Sequence, residues 1–218
     1  MKRNILYLLF AILLSACQQE ELPPAEQTLG YLSIENISVE VKNMNYVSTK
    51  AVDAELYVKI EGNGQTHIYA PGEVPSEIAL DAGNYTVSVY NYETYQEGKP
   101  LYSTETSVTI TAGEINYISI QVPLQNVGIR LVLPDNFEDY FTYTFSVSQN
   151  SLSKPLQNNE TYYFESSSAG VITYSMTVTN TDDEMRPADI GTISNPQNGN
   201  IYVVTYDYAT ESLSLLAD

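Results

Sequence analysis

The sequence is almost without cysteine, histidine and tryptophan: Cys17 and His67 are single copies, and tryptophan is absent. A lone cysteine cannot form an intrachain disulfide, so stability must come from packed apolar surface. One histidine and one cysteine cannot supply a histidine- or cysteine-rich zinc site. His67 lies in the short strand-like run 66–69, and a catalytic dyad or triad would need a nucleophile and a partner oriented beside it. We therefore predict a protein that is not an enzyme and that uses no cofactor or metal.

Positive charge is also scarce, with 9 lysines and arginines against 27 aspartates and glutamates, a formal net charge of −18. A surface of this sign repels polyphosphate, which argues against nucleic acid as a partner, and we predict none. The same repulsion excludes binding to anionic lipid headgroups by charge. Any attachment to a membrane must therefore come from lipid.

Acidic residues are numerous enough that carboxylate pairs must occur, but no cleft signal marks one as a hydrolase site. Asp135, Glu138 and Asp139 in one loop, and residues 182–184 in another, carry the oxygen ligands that calcium uses. Neither run has the regular Asp-x-Asp-x-Asp-Gly spacing. Solvated loop charge is the favoured interpretation, and weak calcium binding stays the open alternative.

The N-terminal segment has the pattern of a secretory signal. Lys2 and Arg3 precede a short apolar run over 5–14, and small residues lead to Cys17. The run is too short to span a bilayer. The segment resembles a bacterial lipoprotein signal with its lipobox, so residues 1–16 would be removed and Cys17 would be acylated. An ordinary signal peptide with a chance cysteine is the alternative.

Residues 17–28 have the composition of an extended tether, with two prolines and three glutamates. Glu20 and Glu21, close behind the cysteine, resemble the acidic export signal of Bacteroidetes-type surface lipoproteins. The alternative is a plain acidic linker. The resemblance implies a protein that is lipid-anchored in the outer membrane and exposed on the cell surface.

Beyond the tether the dominant pattern is two-residue alternation, which is typical of half-buried antiparallel strands. It is clearest over 141–148 and 172–179, where apolar or aromatic residues alternate with serine and threonine. Turn residues separate the runs, and no convincing amphipathic helix is found. Further candidate strands lie at 56–60 and near 31–41, 84–92, 104–110, 115–122, 127–133, 201–208 and 212–216. The sequence predicts an all-β protein, a sandwich or partial barrel.

The chain repeats itself weakly. Gly83 and Gly113 stand at the start of two strand-like runs, and Gly170 and Gly199 do the same 87 and 86 residues later. We predict two tandem antiparallel β-sandwich domains, at 29–123 and 124–218, that pack end to end across a short junction. A single larger sandwich, with a chance match between its parts, is the alternative.

Four short motifs carry a resemblance to a family of Bacteroidetes lipoproteins of unknown function, distantly similar to the fimbrillins. They are Gly30-Tyr31-Leu32, Ala82-Gly83-Asn84-Tyr85, Pro100-Leu101-Tyr102 and Leu124-Gln125-Asn126. The resemblance implies tandem transthyretin-like sandwiches and strand exchange between subunits.

One departure from the fimbrillin pattern concerns processing. Major pilins of that kind are trimmed after an arginine, whereas this sequence has no arginine between Arg3 and Arg130. The chain is therefore expected to stay lipid-anchored, as an accessory, anchor or free-standing surface protein.

Tyrosine is abundant, with 19 copies. Tyr92 and Tyr95 fall in a polar loop where exposure is expected, and we treat them as candidate ligand contacts, because aromatic faces stack on sugar rings and anchor protein interfaces. The alternative is that most tyrosine rings cover sandwich faces.

These observations favour an adhesion or fimbria-like accessory role, and the alternative is a surface glycan-binding lipoprotein for polysaccharide capture. The expected partners are the membrane, through the N-terminal lipid, and a protein or a glycan. The apolar alternation over 211–216 predicts a last strand that pairs within its own sheet or is donated to a neighbour.

Overall fold

The fold is seen in a computed structural model, which describes residues 28–42, 55–165, 170–180, 184–186 and 188–216. The signal segment 1–16, Cys17 and the tether up to residue 27 lie outside the described residues, as do 182 and 183 of the second acidic loop.

Nearly all regular structure in the described ranges is β-strand, which confirms the all-β prediction. The strands are β1 (Leu29–Glu40), β2 (Tyr57–Gly62), β3 (Gln65–Tyr69), β4 (Ile78–Asp81), β5 (Gly83–Tyr90), β6 (Ser103–Ile110), β7 (Ile115–Pro123), β8 (Val127–Leu131), β9 (Phe141–Gln149), β10 (Leu152–Pro155), β11 (Thr161–Phe164), β12 (Ile172–Asn180), β13 (Asp189–Ile193), β14 (Ile201–Asp207) and β15 (Ser212–Leu215). A four-residue helix, α1 (Phe137–Tyr140), precedes β9.

The strands form four sheets that repeat one topology. The first half of the chain builds sheets of order β4-β1-β7 and β3-β2-β5-β6, and the second builds β11-β8-β14-β15 and β10-β9-β12-β13. Each strand of the first half thus has a counterpart seven strands later, and β15 is an addition. The domain limits at 29–123 and 124–218 stay a prediction.

Two of the strand pairs are parallel, which the alternation pattern did not predict. β1 pairs with β7 and β8 pairs with β14, while the other described pairs are antiparallel. A tight hairpin forces antiparallel pairing, whereas strands joined through the opposite sheet are free of that constraint. The first and seventh strands of each half are joined in this second way.

Two hydrophobic cores lie between the paired sheets. Val58 and Ile60 of β2 are fully buried in the first core, and Val147 and Met176 occupy the second. Each such side chain contributes about 1.5–3 kcal/mol by its burial. Ile201, from the second half, belongs to the first core. The two cores therefore meet at the junction between the halves.

The junction is hydrogen-bonded through a buried side chain. Asn126 accepts a bond from Leu101 N (3.1 Å) and donates one to Lys99 O (2.9 Å). Gln125 donates its backbone N–H to Leu101 O (2.7 Å) and its side chain to Ser103 O (2.8 Å). Buried polar groups are stable only when bonded in this way. The segment between the halves is thus held to the first half by these four hydrogen bonds.

The last strand pairs within its own sheet. β15 lies antiparallel to β14, with Leu213 opposite Tyr206 and Leu215 opposite Val204. This confirms the favoured interpretation of the C-terminal alternation.

Candidate functional site

An open groove of about 850 Å³ lies on the first half, at the end of sheet β3-β2-β5-β6. We call it the tyrosine groove and define it by six of its lining residues, Glu55, Tyr57, Ile68, Tyr90, Tyr92 and Glu93. A volume of this size is within the range of small-molecule sites.

Strand register places two of the tyrosines on the outer face. Tyr57 of β2 lies opposite Tyr90 of β5, and their neighbours Val58 and Val89 are fully buried on the inner face. Because side chains alternate along a strand, both tyrosine rings must point outward. The rings stack with centroids 5.9 Å apart and planes 16° apart. They form a flat apolar wall next to exposed Ile68 of β3.

A side-chain clamp fixes the loop that carries Tyr92. The side chain of Asn91 donates to Pro100 O (2.8 Å) and accepts from Tyr102 N (2.8 Å). The backbone N–H of Asn91 also donates to Tyr102 O (3.2 Å). Both ends of the loop are thereby held together. Tyr92, next in the chain, is exposed beside the stacked pair.

Tyr95 is placed differently from Tyr92. It is half-buried, and its hydroxyl donates to Tyr163 O of the second half (3.0 Å) and accepts from Gly98 N (3.4 Å). The sequence predicts that Tyr95 is exposed in its polar loop; it is instead half-buried, because the loop folds against the second half. The structure therefore separates the two tyrosines: Tyr92 lines the groove and Tyr95 bonds across the junction.

Negative and polar groups rim the groove. Glu55 and Glu93 supply carboxylates. On the adjoining strand surface the Lys59 ammonium lies 2.8 Å from Glu61. The hydrogen bond to Glu61 is the main cause that raises the pKa of Lys59, and the nearby charges add to it. Lys59 is therefore positively charged at neutral pH, and hydrogen-bond donors and acceptors both flank the aromatic wall.

Tyr57 and Glu55 were not among the sequence candidates. They precede Tyr90 by more than 30 residues, and only the pairing of β2 with β5 brings them together. The signal that could have found Tyr57 is its outward position in the alternating run 56–60.

The remaining sequence candidates form no second site. His67 is half-buried, with Nε2 3.4 Å from Gln65 Oε1. Glu138 accepts a bond from the Tyr143 hydroxyl (3.3 Å). Within the described ranges, no three acidic, histidine or cysteine side chains are grouped as metal ligands would be. Those same ranges contain no helix with the length and hydropathy that a membrane span requires.

Several of the solved structures similar to this chain come from Bacteroides species. A candidate cell adhesion protein of Bacteroides uniformis ATCC 8492 is 10% identical, with 88% of this chain and 96% of that chain covered and a TM-score of 0.43. One from Bacteroides eggerthii DSM 20697 is 10% identical, with 84% and 86% covered and a TM-score of 0.43. Candidate polysaccharide binding proteins (DUF1812) of Bacteroides thetaiotaomicron VPI-5482 are 7% identical, with 86% and 96% covered and a TM-score of 0.41.

With TM-scores below 0.5, no function is transferred from these proteins. No curated protein matches the chain in sequence. One family model does match, and it spans both halves, from residue 29 to residue 215. The chain therefore belongs to the DUF4493 family, a domain of unknown function, as the resemblance in its motifs predicted.

Proposed function

We propose that this protein is a non-enzymatic adhesion protein, lipid-anchored on the bacterial surface, which binds its target through the tyrosine groove. The observation that carries the proposal is the grouping of Tyr57, Tyr90, Tyr92 and Ile68 on one open surface. Soluble proteins seldom expose several large apolar side chains together unless the surface binds something.

A glycan is the target chemistry that the groove favours. The stacked rings of Tyr57 and Tyr90 offer a flat apolar face for the C–H side of a sugar ring. Glu55 and Glu93 can accept hydrogen bonds from sugar hydroxyls beside that face. The Asn91 clamp holds the Tyr92 loop before any ligand arrives, which lowers the entropic cost of binding.

Anchoring is proposed from the N-terminal sequence alone. Acylation of Cys17 would hold the protein at the outer membrane, since two or more acyl chains anchor stably. The net charge of −18 keeps a tethered surface protein soluble.

A fimbria-like accessory or anchor role fits the C-terminal strand better than a role as a polymerising subunit. Donation of β15 to a neighbour would require it to leave β14, where four residue pairs hold it. We therefore place ligand binding, and not strand donation, at the centre of the proposed adhesion.

The test is direct binding of residues 18–218 to a panel of host and plant polysaccharides, followed by calorimetry on each hit. We expect saturable binding that weakens about tenfold in Tyr92→Ala, as loss of one aromatic contact predicts. Tyr140→Ala is the matched control, because Tyr140 is an exposed tyrosine of the second half outside the groove. Absence of any saturable saccharide, or equal affinities of the two variants, would contradict the proposal.

A further inference from the structure

The two halves have equivalent backbone bonds at the start of their first strands. Gly113 and Gly199 occupy matching turns with φ of 76° and 84°. Gly113 N donates to Leu29 O (2.9 Å), and Gly199 N donates to Asn126 O (3.0 Å). Leu29 in the first half therefore corresponds to Asn126 in the second.

A second pair of bonds extends the correspondence by two residues. Tyr31 N donates to Glu114 O (2.9 Å), and Gly128 N donates to Asn200 O (2.9 Å). The parallel registers then align the seventh strands, since Tyr31 pairs with Ile115 and Gly128 pairs with Ile201. The equivalent positions are Leu29 and Asn126, Tyr31 and Gly128, Ile115 and Ile201, and Tyr117 and Val203.

In the second half this surface is covered by the first half. Asn126 is 1% exposed and is hydrogen-bonded to Leu101 and Lys99 of the first half, and Ile201 is 8% exposed. Ile201 belongs to the first core, and Tyr163, which pairs with Gly128, packs against that core. The surface at the starts of β8 and β14 is thus the interface of the second half with the β-sandwich of the first half.

In the first half the equivalent surface is open and apolar. We call it the free end face and define it by Leu29, Tyr31, Ile115 and Tyr117, which are 48%, 38%, 39% and 61% exposed. β1 and β7 are parallel, so these side chains lie at one end of one sheet. A surface that the second half buries is therefore presented to solvent by the first.

We propose that the free end face docks the loop end of a β-sandwich domain that belongs to another protein. The reason is the equivalence of the two surfaces: at the internal junction, the loop end of a β-sandwich packs on the corresponding surface of the second half. The proposal concerns an interaction surface apart from the tyrosine groove and does not depend on the ligand of the groove.

The carboxylate of Glu114, beside the free end face, indicates which charge the docked loops of the partner should carry. In the internal junction, Lys42 N donates to Gly199 O (2.8 Å), and the Lys42 side chain packs against Gly199. The matching dipeptide of the first half is Gly113-Glu114, which adds a carboxylate at the same place. A lysine or arginine in the docked loop would meet Glu114. The partner is therefore expected to have an apolar loop end with basic residues.

A second copy of this chain is disfavoured as the occupant. Each copy carries a net charge of −18, so association of copies brings large like charges together. The second half also differs from the first by helix α1 and strand β15; Asp135 precedes α1, Asp139 lies in it, and Glu211 directly precedes β15.

The length of chain before the free end face leaves room for such a domain. Residues 18–28 separate Cys17 from Leu29, and eleven residues span at most about 38 Å. A β-sandwich of 100 residues is about 34 Å across. The distance between the membrane and the free end face depends on the proposed lipid anchor, whereas the docking surface itself does not.

The experiment replaces Tyr117 in the full-length chain by the photocrosslinker p-benzoylphenylalanine in living cells. The matched control carries the same group at Tyr140, which is also 61% exposed. We expect a discrete protein adduct from position 117 only, with the crosslinked peptide in a lysine- or arginine-containing loop of a β-sandwich domain. Ile115→Asp and Glu114→Lys should each reduce the adduct at least fivefold.

The identified partner is then purified, and its affinity for the protein is measured with and without Ile115→Asp, where at least a tenfold loss is expected. Glycan binding by Ile115→Asp should stay unchanged, which separates this surface from the groove. An adduct with lipid, an adduct between two copies of this chain, equal adducts at 117 and 140, or no protein adduct at all would overturn the proposal.

Discussion

The first and second halves of this protein share one seven-strand topology and differ in what covers their ends. The second half begins against the first and finishes with additions, α1 and β15. The first half begins with an exposed apolar surface and carries the tyrosine groove at its other end. The strand pattern fixes the shared topology, whereas equivalent positions carry different residue types according to whether another part of the molecule covers them.

Leu29 and Asn126 illustrate this point. The buried position has the polar residue and the exposed position has the apolar one, the reverse of the usual preference. Asn126 can be buried because Leu101 N and Lys99 O satisfy its side chain. The apolar side chain of Leu29 needs no hydrogen-bond partner. Its exposure is the reason that we infer a partner domain docked on the free end face.

The largest expected effect comes from introducing a charge at one of the equivalent isoleucines. Ile201→Asp would place a carboxylate in the first core without a charged partner, and the free energy of unfolding should fall by about 3–5 kcal/mol. Ile115→Asp changes a side chain that is 39% exposed and can turn its carboxylate to water, so the loss should be smaller, about 1 kcal/mol. Urea unfolding of residues 18–218 followed by circular dichroism measures both. Equal losses would show that the two positions are not covered differently.

The next effect concerns the buried amide. Asn126→Ala leaves Leu101 N and Lys99 O without their partner, which should lower the free energy of unfolding by about 2–3 kcal/mol. Leu29→Ala, at the equivalent position, should cost less than about 1 kcal/mol because much of the leucine is already exposed. Thermal and urea unfolding of the two variants give the comparison. A loss in Asn126→Ala no greater than in Leu29→Ala would contradict the role of Asn126 in holding the junction.

The strands with long alternation could be predicted from the sequence, because a period of two is itself the signal. β9 and β12 are of this kind, and the glycine spacing also indicated the internal repeat. The short strands β4, β10, β11 and β13 were missed because four or five residues carry too little alternation to be distinguished from a loop. Helix α1 was missed for the same reason: one turn has no amphipathic period.

The tyrosine groove could be predicted only in part. Tyr92 was found through its polar loop, but its neighbours depend on the pairing of β2 with β5, which no local pattern encodes. Tyr95 was expected to behave like Tyr92 because the two are close in sequence. Its hydroxyl instead meets Tyr163 O, 68 residues away, and such a contact depends on how the halves pack.

The smallest expected effect comes from an ion pair that crosses between the halves. The Lys154 ammonium lies 2.6 Å from a carboxylate oxygen of Glu97, and the two side chains are 37% and 58% exposed. The hydrogen bond from Lys154, and next its charge, lower the pKa of Glu97 below the ordinary value of 4.5. A carboxyl whose folded pKa is lowered stabilises the fold above the unfolded pKa, and this stabilisation is lost as the pH falls through the folded pKa.

Glu97→Gln should therefore lower the urea midpoint slightly at pH 7, and the difference from the unmodified protein should vanish as the pH falls well below 4.5. Added salt should shrink the difference at pH 7, because exposed pairs are screened. Glu61→Gln is the matched control, since Glu61 pairs with Lys59 inside the first half. Only the variant at 97 should also change the exchange of backbone amides at the junction, where Gln125 N and Leu101 N are bonded. If the effect of Glu97→Gln is the same at every pH, or if both variants alter junction exchange equally, the pair between Glu97 and Lys154 does not couple the halves.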